Sequence, residues 1–152
     1  MKTLKLYITE ALHVNRNTKI QKYNYYPKTN KELEELVKKL IKERGLNADL
    51  NDIDTSEITD MSYVFYQSRF NGDISKWDVS NVTNIAGMFM KSDFNGDISE
   101  WDVSNVKDMY AMFDSSKFNG DISKWNVSSV DNMYDMFSNS PLENNPPKWY
   151  KK

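Results

Sequence analysis

Acidic side chains recur at a fixed spacing in this sequence and are the first candidates for chemistry. Asp78 and Asp102 are separated by the same interval as Asp102 and Asn126. Paired carboxylates can act as general acid and base, and converging carboxylates can hold Ca²⁺. A second acidic row, each member next to an Asn-Gly pair, is Asp73, Asp97 and Asp121. Aspartate in such a place commonly bonds nearby backbone, so we interpret both rows as structural turns, with calcium binding and catalysis as the alternatives.

Nucleophilic catalysis has few residues to draw on. The chain of 152 residues has no cysteine and one histidine, His13. Disulfides, thiolate nucleophiles and cysteine-ligated metals are therefore excluded, as are centres built from several histidines. The recurring serines have no histidine to activate them; they are Ser75, Ser99 and Ser123. We expect no catalytic residue, no metal, no cofactor and no enzymatic activity.

An internal repeat with a period of 24 supplies the elements that must position these side chains. The motif FNGDIS-x-W begins at Phe70, Phe94 and Phe118, and weaker copies precede and follow it. Such a period decides the fold, because single units cannot bury their apolar face and must stack. We predict a cap over residues 1–45 and a repeat array over 46–149, with units 46–69, 70–93, 94–117, 118–141 and a truncated 142–149.

Apolar spacing within each unit predicts its secondary structure. Residues 74–82 follow the spacing of a leucine-rich-repeat strand, and residues 82–89 follow that of a short helical turn. The predicted fold class is an α/β solenoid, a leucine-rich-repeat-like array of short parallel strands and short helices behind a small ββα cap. Two aromatic rows are expected inside the core rather than as a sugar-binding platform; they are Trp77, Trp101 and Trp125, and Phe89, Phe113 and Phe137.

The cap differs from the array in charge. Residues 1–45 carry 11 Lys/Arg against 5 Asp/Glu, a net charge of +6, whereas residues 46–152 carry 9 against 17, a net charge of −8. Residues 31–44 have the apolar stripe, capping residues and terminal glycine of an amphipathic helix, and two strands are expected at 4–8 and 19–26. The lysines lie mostly opposite the stripe, so we disfavour nucleic-acid binding for this basic, tyrosine-containing segment.

The repeat F-N-G-D-I-S-x-W-[DN]-V-S-x-V-x-x-M-x-x-M-F resembles the BspA-like leucine-rich repeats, which occur in mycoplasma and gut-bacterial proteins as a domain of unknown function. The resemblance covers residues 46 to about 149. It implies a repeat solenoid and binding rather than catalysis, often in cell-surface proteins, and brings no functional residues with it.

Two exposed surfaces are candidates for binding. One is the outward side of the expected strands, since repeat proteins usually bind partners there. Its residues are Lys76, Asp78, Ser80, Glu100, Asp102, Ser104, Lys124, Asn126 and Ser128. The other is a tyrosine patch, because tyrosine is favoured at interfaces. Its residues are Tyr63, Tyr110 and Tyr134.

These features predict a non-enzymatic protein–protein interaction module that presents an acidic repeat surface to a protein partner, a basic one being favoured. An intracellular or phage-encoded inhibitor of a host protein is one form of this hypothesis. A surface adhesin or carbohydrate-binding repeat protein is the alternative. The sequence has no secretion signal and no apolar run long enough to cross a membrane, so we expect a cytoplasmic protein without membrane contact. A surface location would require a longer native chain, and the oligomeric state stays open.

Overall fold

A computed structural model describes residues 22–151, and its one helix within that range is α1, Asn30–Arg44. The Thr29 hydroxyl accepts a hydrogen bond from the Glu32 N–H, and the Gly45 N–H donates to the Ile41 carbonyl, which satisfies free backbone groups at both ends. Buried side chains on one face of α1 are Leu33, Val37 and Leu40. The amphipathic helix predicted over 31–44 is confirmed.

The rest of the cap joins the array through its backbone. Tyr25 forms an isolated parallel bridge with Ile53, where part of the strand expected at 19–26 would lie. Arg44 donates from two nitrogens to Asp52 at 2.9 and 3.0 Å, and this pairing lowers the pKa of the Asp52 carboxyl. The strand expected at 4–8 and His13 lie outside the described residues.

The predicted solenoid of repeated strands and helices is wrong. Between residues 45 and 151 the described chain has turns and isolated parallel bridges, with neither a regular strand nor a helix. The segment expected to be a strand is folded by local hydrogen bonds, Trp77 N–H to Ile74 O at 3.1 Å and Val82 N–H to Val79 O at 2.9 Å. These bonds define β-turns. Apolar side chains point inward where one turn meets the next, and their spacing along the sequence is the same as that of a short strand.

Neighbouring repeats are joined by a ladder of backbone hydrogen bonds that crosses the array at every second residue. In the first interface, Met61 N–H donates to Asn84 O and Phe65 N–H donates to Met88 O, at 2.9 and 3.0 Å. The same bonds recur one repeat later from Ile85 and Phe89, and again from Met109 and Phe113. We call this set the ladder. Within the ladder the donors lie in the earlier repeat and the carbonyl acceptors in the next one, whereas bonds at other positions, such as Lys107 N–H to Thr83 O, run the opposite way.

Two positions in each repeat adopt a left-handed backbone. The first position is occupied by Tyr63, Gly87, Ala111 and Asp135, and the second by Gln67, Lys91, Ser115 and Asn139. Their φ angles lie between 48° and 59°, where a side chain normally costs about 1–2 kcal/mol relative to right-handed backbone. The segments predicted as short helices are therefore tight turns. The backbone reverses its direction twice in each of them, and as a result alternate N–H groups point toward the next repeat.

Stacked aromatic rings fill the core, as predicted. The rings of Phe65, Phe89, Phe113 and Phe137 stack in a column with centroids 5.5, 5.7 and 5.8 Å apart. A second column of Phe70, Phe94 and Phe118 lies beside it. The Trp101 side chain is 4% exposed, and its indole N–H donates to the Ile74 carbonyl of the previous repeat at 3.2 Å. Buried tryptophan normally needs such a partner, so these rows are core and are not available as a sugar platform.

The glycines of the Asn-Gly pairs provide space for packing. Glycine in such a turn commonly permits φ > 0, yet a positive φ is seen at Gly87 and Gly45 and not at Gly96. A Cβ at Gly96 would lie 2.7 Å from the Phe94 ring, so glycine is needed there for close packing. Asn71 accepts from the Asn95 N–H, and Asn95 accepts from the Asn119 N–H, both at 2.8 Å. These asparagines thus bridge repeats instead of bonding their own turns.

Different elements pack against the two ends of the array. At the front, the Asn30 side chain donates to the carbonyls of Asp60 and Ser62, at 3.3 and 3.0 Å. The equivalent carbonyls of later repeats accept ladder bonds, so α1 takes the place of a repeat in front of the first one. At the other end, Trp149 continues the tryptophan row by stacking on Trp125. Its N–H donates to the Ile122 carbonyl.

The left-handed positions yield a stability prediction. Lys91→Gly should raise the free energy of unfolding by up to about 1 kcal/mol, because relief of the left-handed conformation outweighs the added freedom of the unfolded chain. Lys107→Gly removes the same charge at an exposed site without positive φ and should lower it by roughly 0.5–1 kcal/mol. Urea unfolding measures both. Equal destabilisation by the two substitutions would contradict the left-handed assignment.

Candidate binding surface

Carboxylates and amides of three rows fold the turns of each repeat. In the first row, Asp97 Oδ1 accepts the Ser99 N–H at 2.9 Å. In the second, Asp102 Oδ1 accepts both the N–H and the hydroxyl of Ser104, at 3.1 and 2.6 Å. In the third, Asp108 Oδ1 accepts the Tyr110 N–H at 2.8 Å. Each bond joins a residue to the second one after it, which is the Asx-turn geometry, and the bonds recur through the array.

These turn bonds stabilise the ionised form of the acids. The N–H and hydroxyl of Ser99 lower the pKa of Asp97, and those of Ser123 lower the pKa of Asp121. The hydroxyl and N–H of Ser104 lower the pKa of Asp102. Hydrogen bonds to a carboxylate favour its charged state. Asp97, Asp102 and Asp121 therefore carry negative charge at neutral pH, with their side chains already oriented.

The surface proposed from the sequence lies on these turns, and all nine of its residues are exposed or half-buried. Lys76 and Glu100 lie in their turns, and Asp78 and Asp102 lie two residues further on. Ser80 and Ser104 are half-buried because they bond those aspartates. We define the acidic face as the carboxylates flanking this turn in successive repeats, namely Asp73, Asp78, Asp97, Glu100, Asp102 and Asp121.

The acidic face contains a shallow concavity of about 280 Å³ between two repeats. It is lined by Asp97, Ser99, Glu100, Asp121 and Lys124. Within residues 22–151 no three acidic or histidine side chains converge in a way that could hold a metal ion. The Oδ1 atoms of Asp97 and Asp121 each already accept a backbone N–H. The arrangement presents separated charges along a surface, which suits recognition of several cationic groups.

Exposed tyrosines occupy another side of the repeats. The rings of Tyr110 and Tyr134 stack with centroids 6.4 Å apart and planes inclined by 7°. Tyr134 is 71% exposed and Tyr110 36%. Tyr63 is not in their column, since its ring packs edge-on against Tyr66 and lies over Gly87. The three tyrosines proposed from the sequence therefore form two separate groups.

Comparison with known families identifies the family to which this chain belongs. The family model described as "Mycoplasma protein of unknown function, DUF285" matches residues 31–149. The chain belongs to this family, which is the one known for BspA-like repeats. No curated protein and no solved structure matches it. Over the described residues, no helix is long and apolar enough to span a membrane.

Acid should weaken the array through its turn carboxylates. Because the pKa values of Asp73, Asp97, Asp102 and Asp121 are lowered on folding, their contribution is complete above the unfolded pKa, about 3.9. It is lost as pH falls through the lower folded values. The free energy of unfolding should therefore drop steeply below about pH 4.

The triple variant Asp97→Asn, Asp102→Asn, Asp121→Asn should flatten this drop. Asparagine can accept the same turn bonds, as Asn126 and Asn132 do, but it does not titrate. Urea unfolding at several pH values is the measurement. Glu34→Gln, Glu35→Gln, Glu43→Gln on α1 is the matched control, which should keep the steep drop. If the free energy of unfolding of the turn variant falls at low pH as steeply as that of the wild type, the turn carboxylates do not govern acid stability.

Proposed function

We propose that this chain is a non-enzymatic protein–protein interaction module whose acidic face binds a basic surface of another protein. The observation that carries the proposal is that aspartates are repeated on exposed turns and that each accepts a hydrogen bond from the serine two residues further on. Equivalent residues of the three strongest repeats recur at the fixed sequence period and lie side by side in the array. A partner with several Lys or Arg side chains would meet charges at regular intervals.

The turn bonds also lower the entropic cost of binding. Ordering a flexible side chain at an interface costs about 0.5–1.5 kcal/mol, and the aspartates of the acidic face are already ordered by the serines that follow them. The net charge of −8 over residues 46–152 adds long-range attraction. Such a field accelerates encounter with a cationic partner at low salt. A basic protein surface that also binds nucleic acid would be masked by this contact, which is the basis for an inhibitor role inside a host cell.

A carbohydrate-binding or adhesin role is the second candidate. The tryptophan and phenylalanine rows are buried, so a sugar would have to stack on exposed tyrosine. The coplanar pair of Tyr110 and Tyr134 is the feature that favours this candidate. It predicts glycan binding that is insensitive to the charge of the acidic face.

The proposal is tested with a short lysine-rich peptide as the probe. Asp78→Asn, Glu100→Gln, Asp102→Asn removes three charges from the acidic face and should weaken binding about tenfold, since each charge contributes of order 0.5 kcal/mol at an exposed site. Titration calorimetry at low and high salt measures the affinity, and the difference should shrink at high salt.

The control is Glu34→Gln, Glu35→Gln, Glu43→Gln, which makes the same change in net charge on α1. It should weaken binding less than twofold. Affinity capture from the native host, followed by mass spectrometry, uses the same three proteins. A partner retained by wild type and control but lost by the face variant supports the proposal. Equal binding by all three proteins contradicts it, and hits on a glycan array would favour the second candidate.

A further inference from the structure

Within residues 22–151, the last complete repeat leaves ladder donors without an acceptor. The N–H groups of Met133, Asp135 and Phe137 hold the ladder positions that donate to the next repeat throughout the array. No acceptor within residues 22–151 receives them. The fourth donor of the set, the Asn139 N–H, is accepted by Glu143 Oε2 at 3.2 Å. Three neighbouring backbone donors at this end therefore have no acceptor in the described part of the chain.

A cavity of about 420 Å³ lies at this open edge. Its apolar lining comes from Met133, Tyr134, Phe137 and Tyr150. The Tyr150 ring meets the Phe137 ring edge-on, with centroids 4.9 Å apart. In the inner repeats the corresponding space is filled by the next repeat, whose ring stacks on the phenylalanine column. The edge thus places backbone hydrogen-bond donors beside a cavity with an apolar lining.

Acidic groups surround the cavity. Asp131, Asp135 and Glu143 line it, and Lys151 is the one basic residue of its lining. A segment that docks here would supply carbonyl oxygens to the donors, place an apolar side chain in the cavity, and gain from Lys or Arg beside it.

A second copy of this chain fits less well than a basic segment of another protein. Two of the four carbonyls of its acceptor edge, those of Asp60 and Ser62, already accept hydrogen bonds from the Asn30 side chain. Helix α1 therefore covers part of the edge that head-to-tail stacking between copies would use, and the acidic lining of the cavity favours a basic segment of a different chain.

We propose that the open edge, formed by Met133, Asp135, Phe137 and the cavity beside them, is a second binding site that accepts a backbone segment of a partner protein carrying an apolar residue flanked by basic ones. The partner adds one more rung to the ladder, in the manner of strand addition at a sheet edge. The site is separate from the acidic face and does not depend on the function proposed for it.

The test uses the chain's own segment as a probe. A synthetic peptide of residues 107–117 carries the carbonyls of Asp108, Tyr110 and Met112, which accept ladder bonds in the intact array. The substitutions Asp108→Lys and Asp114→Lys make the peptide basic, so that its charge complements the acidic groups at the edge. We expect the lysine peptide to bind at least about tenfold more tightly than the unsubstituted one, as measured by NMR titration of the full chain.

The shifted amides identify the site. Binding at the edge should shift and protect the amides of Met133, Asp135 and Phe137, and leave those of Met109, Ala111 and Phe113 unchanged. Shifts of the Ser99 and Ser123 amides would indicate binding at the acidic face, so the failure of one proposal can be distinguished from the failure of the other. The variant Asp131→Asn, Glu143→Gln should lose the preference for the lysine peptide, whereas Glu34→Gln, Glu35→Gln should keep it.

Three results would overturn the proposal. The first is an absence of shifts at the three edge amides with either peptide. The second is equal affinity for the two peptides. The third is self-association of the protein alone, seen by sedimentation, with the edge amides protected in the dimer, since a second copy would then be the occupant.

Discussion

The backbone ladder between repeats is the interaction on which the rest of the structure depends. It connects N–H groups of one repeat to carbonyls of the next, and it exists because two residues per repeat adopt a left-handed backbone. Once this register is set, the phenylalanine columns stack and the tryptophan N–H groups reach the carbonyls of the preceding repeat. The conformational cost of non-glycine residues at these positions is offset by hydrogen bonds and by buried aromatic surface.

The residues that looked suited to chemistry turn out to hold turns. The Asp97 and Asp102 carboxylates accept hydrogen bonds from the serines that follow them, and this use explains both the spacing of the acids and the recurrence of serine. The turns also place the carboxylates at the surface in ionised form. Structure and proposed recognition therefore share the same side chains, so a substitution meant to test binding must preserve the turn, as aspartate-to-asparagine changes do.

Several features could be predicted from the sequence because they depend on repetition and local pattern. The repeat register, the buried Trp101 and Phe113 and the helix α1 are of this kind. The conformation of each repeat was mispredicted, because inward corners of consecutive turns reproduce the apolar spacing of a short strand. The left-handed positions gave little signal, since only Gly87 marks them and tyrosine, alanine or aspartate takes its place elsewhere. The open edge also escaped notice, because unused backbone donors depend on which repeat has a successor in space.

Amide hydrogen exchange, followed by NMR on the free protein, tests the central claim most directly. If the ladder holds the array together, the amides of Phe65, Phe89 and Phe113 should exchange only through global unfolding and at a common rate. Phe137 is buried to the same degree but lacks a ladder acceptor within the described chain, so its amide should exchange much faster. Equal protection of Phe137 and Phe113, or rapid exchange at Phe89, would contradict a ladder that ties each repeat to the next.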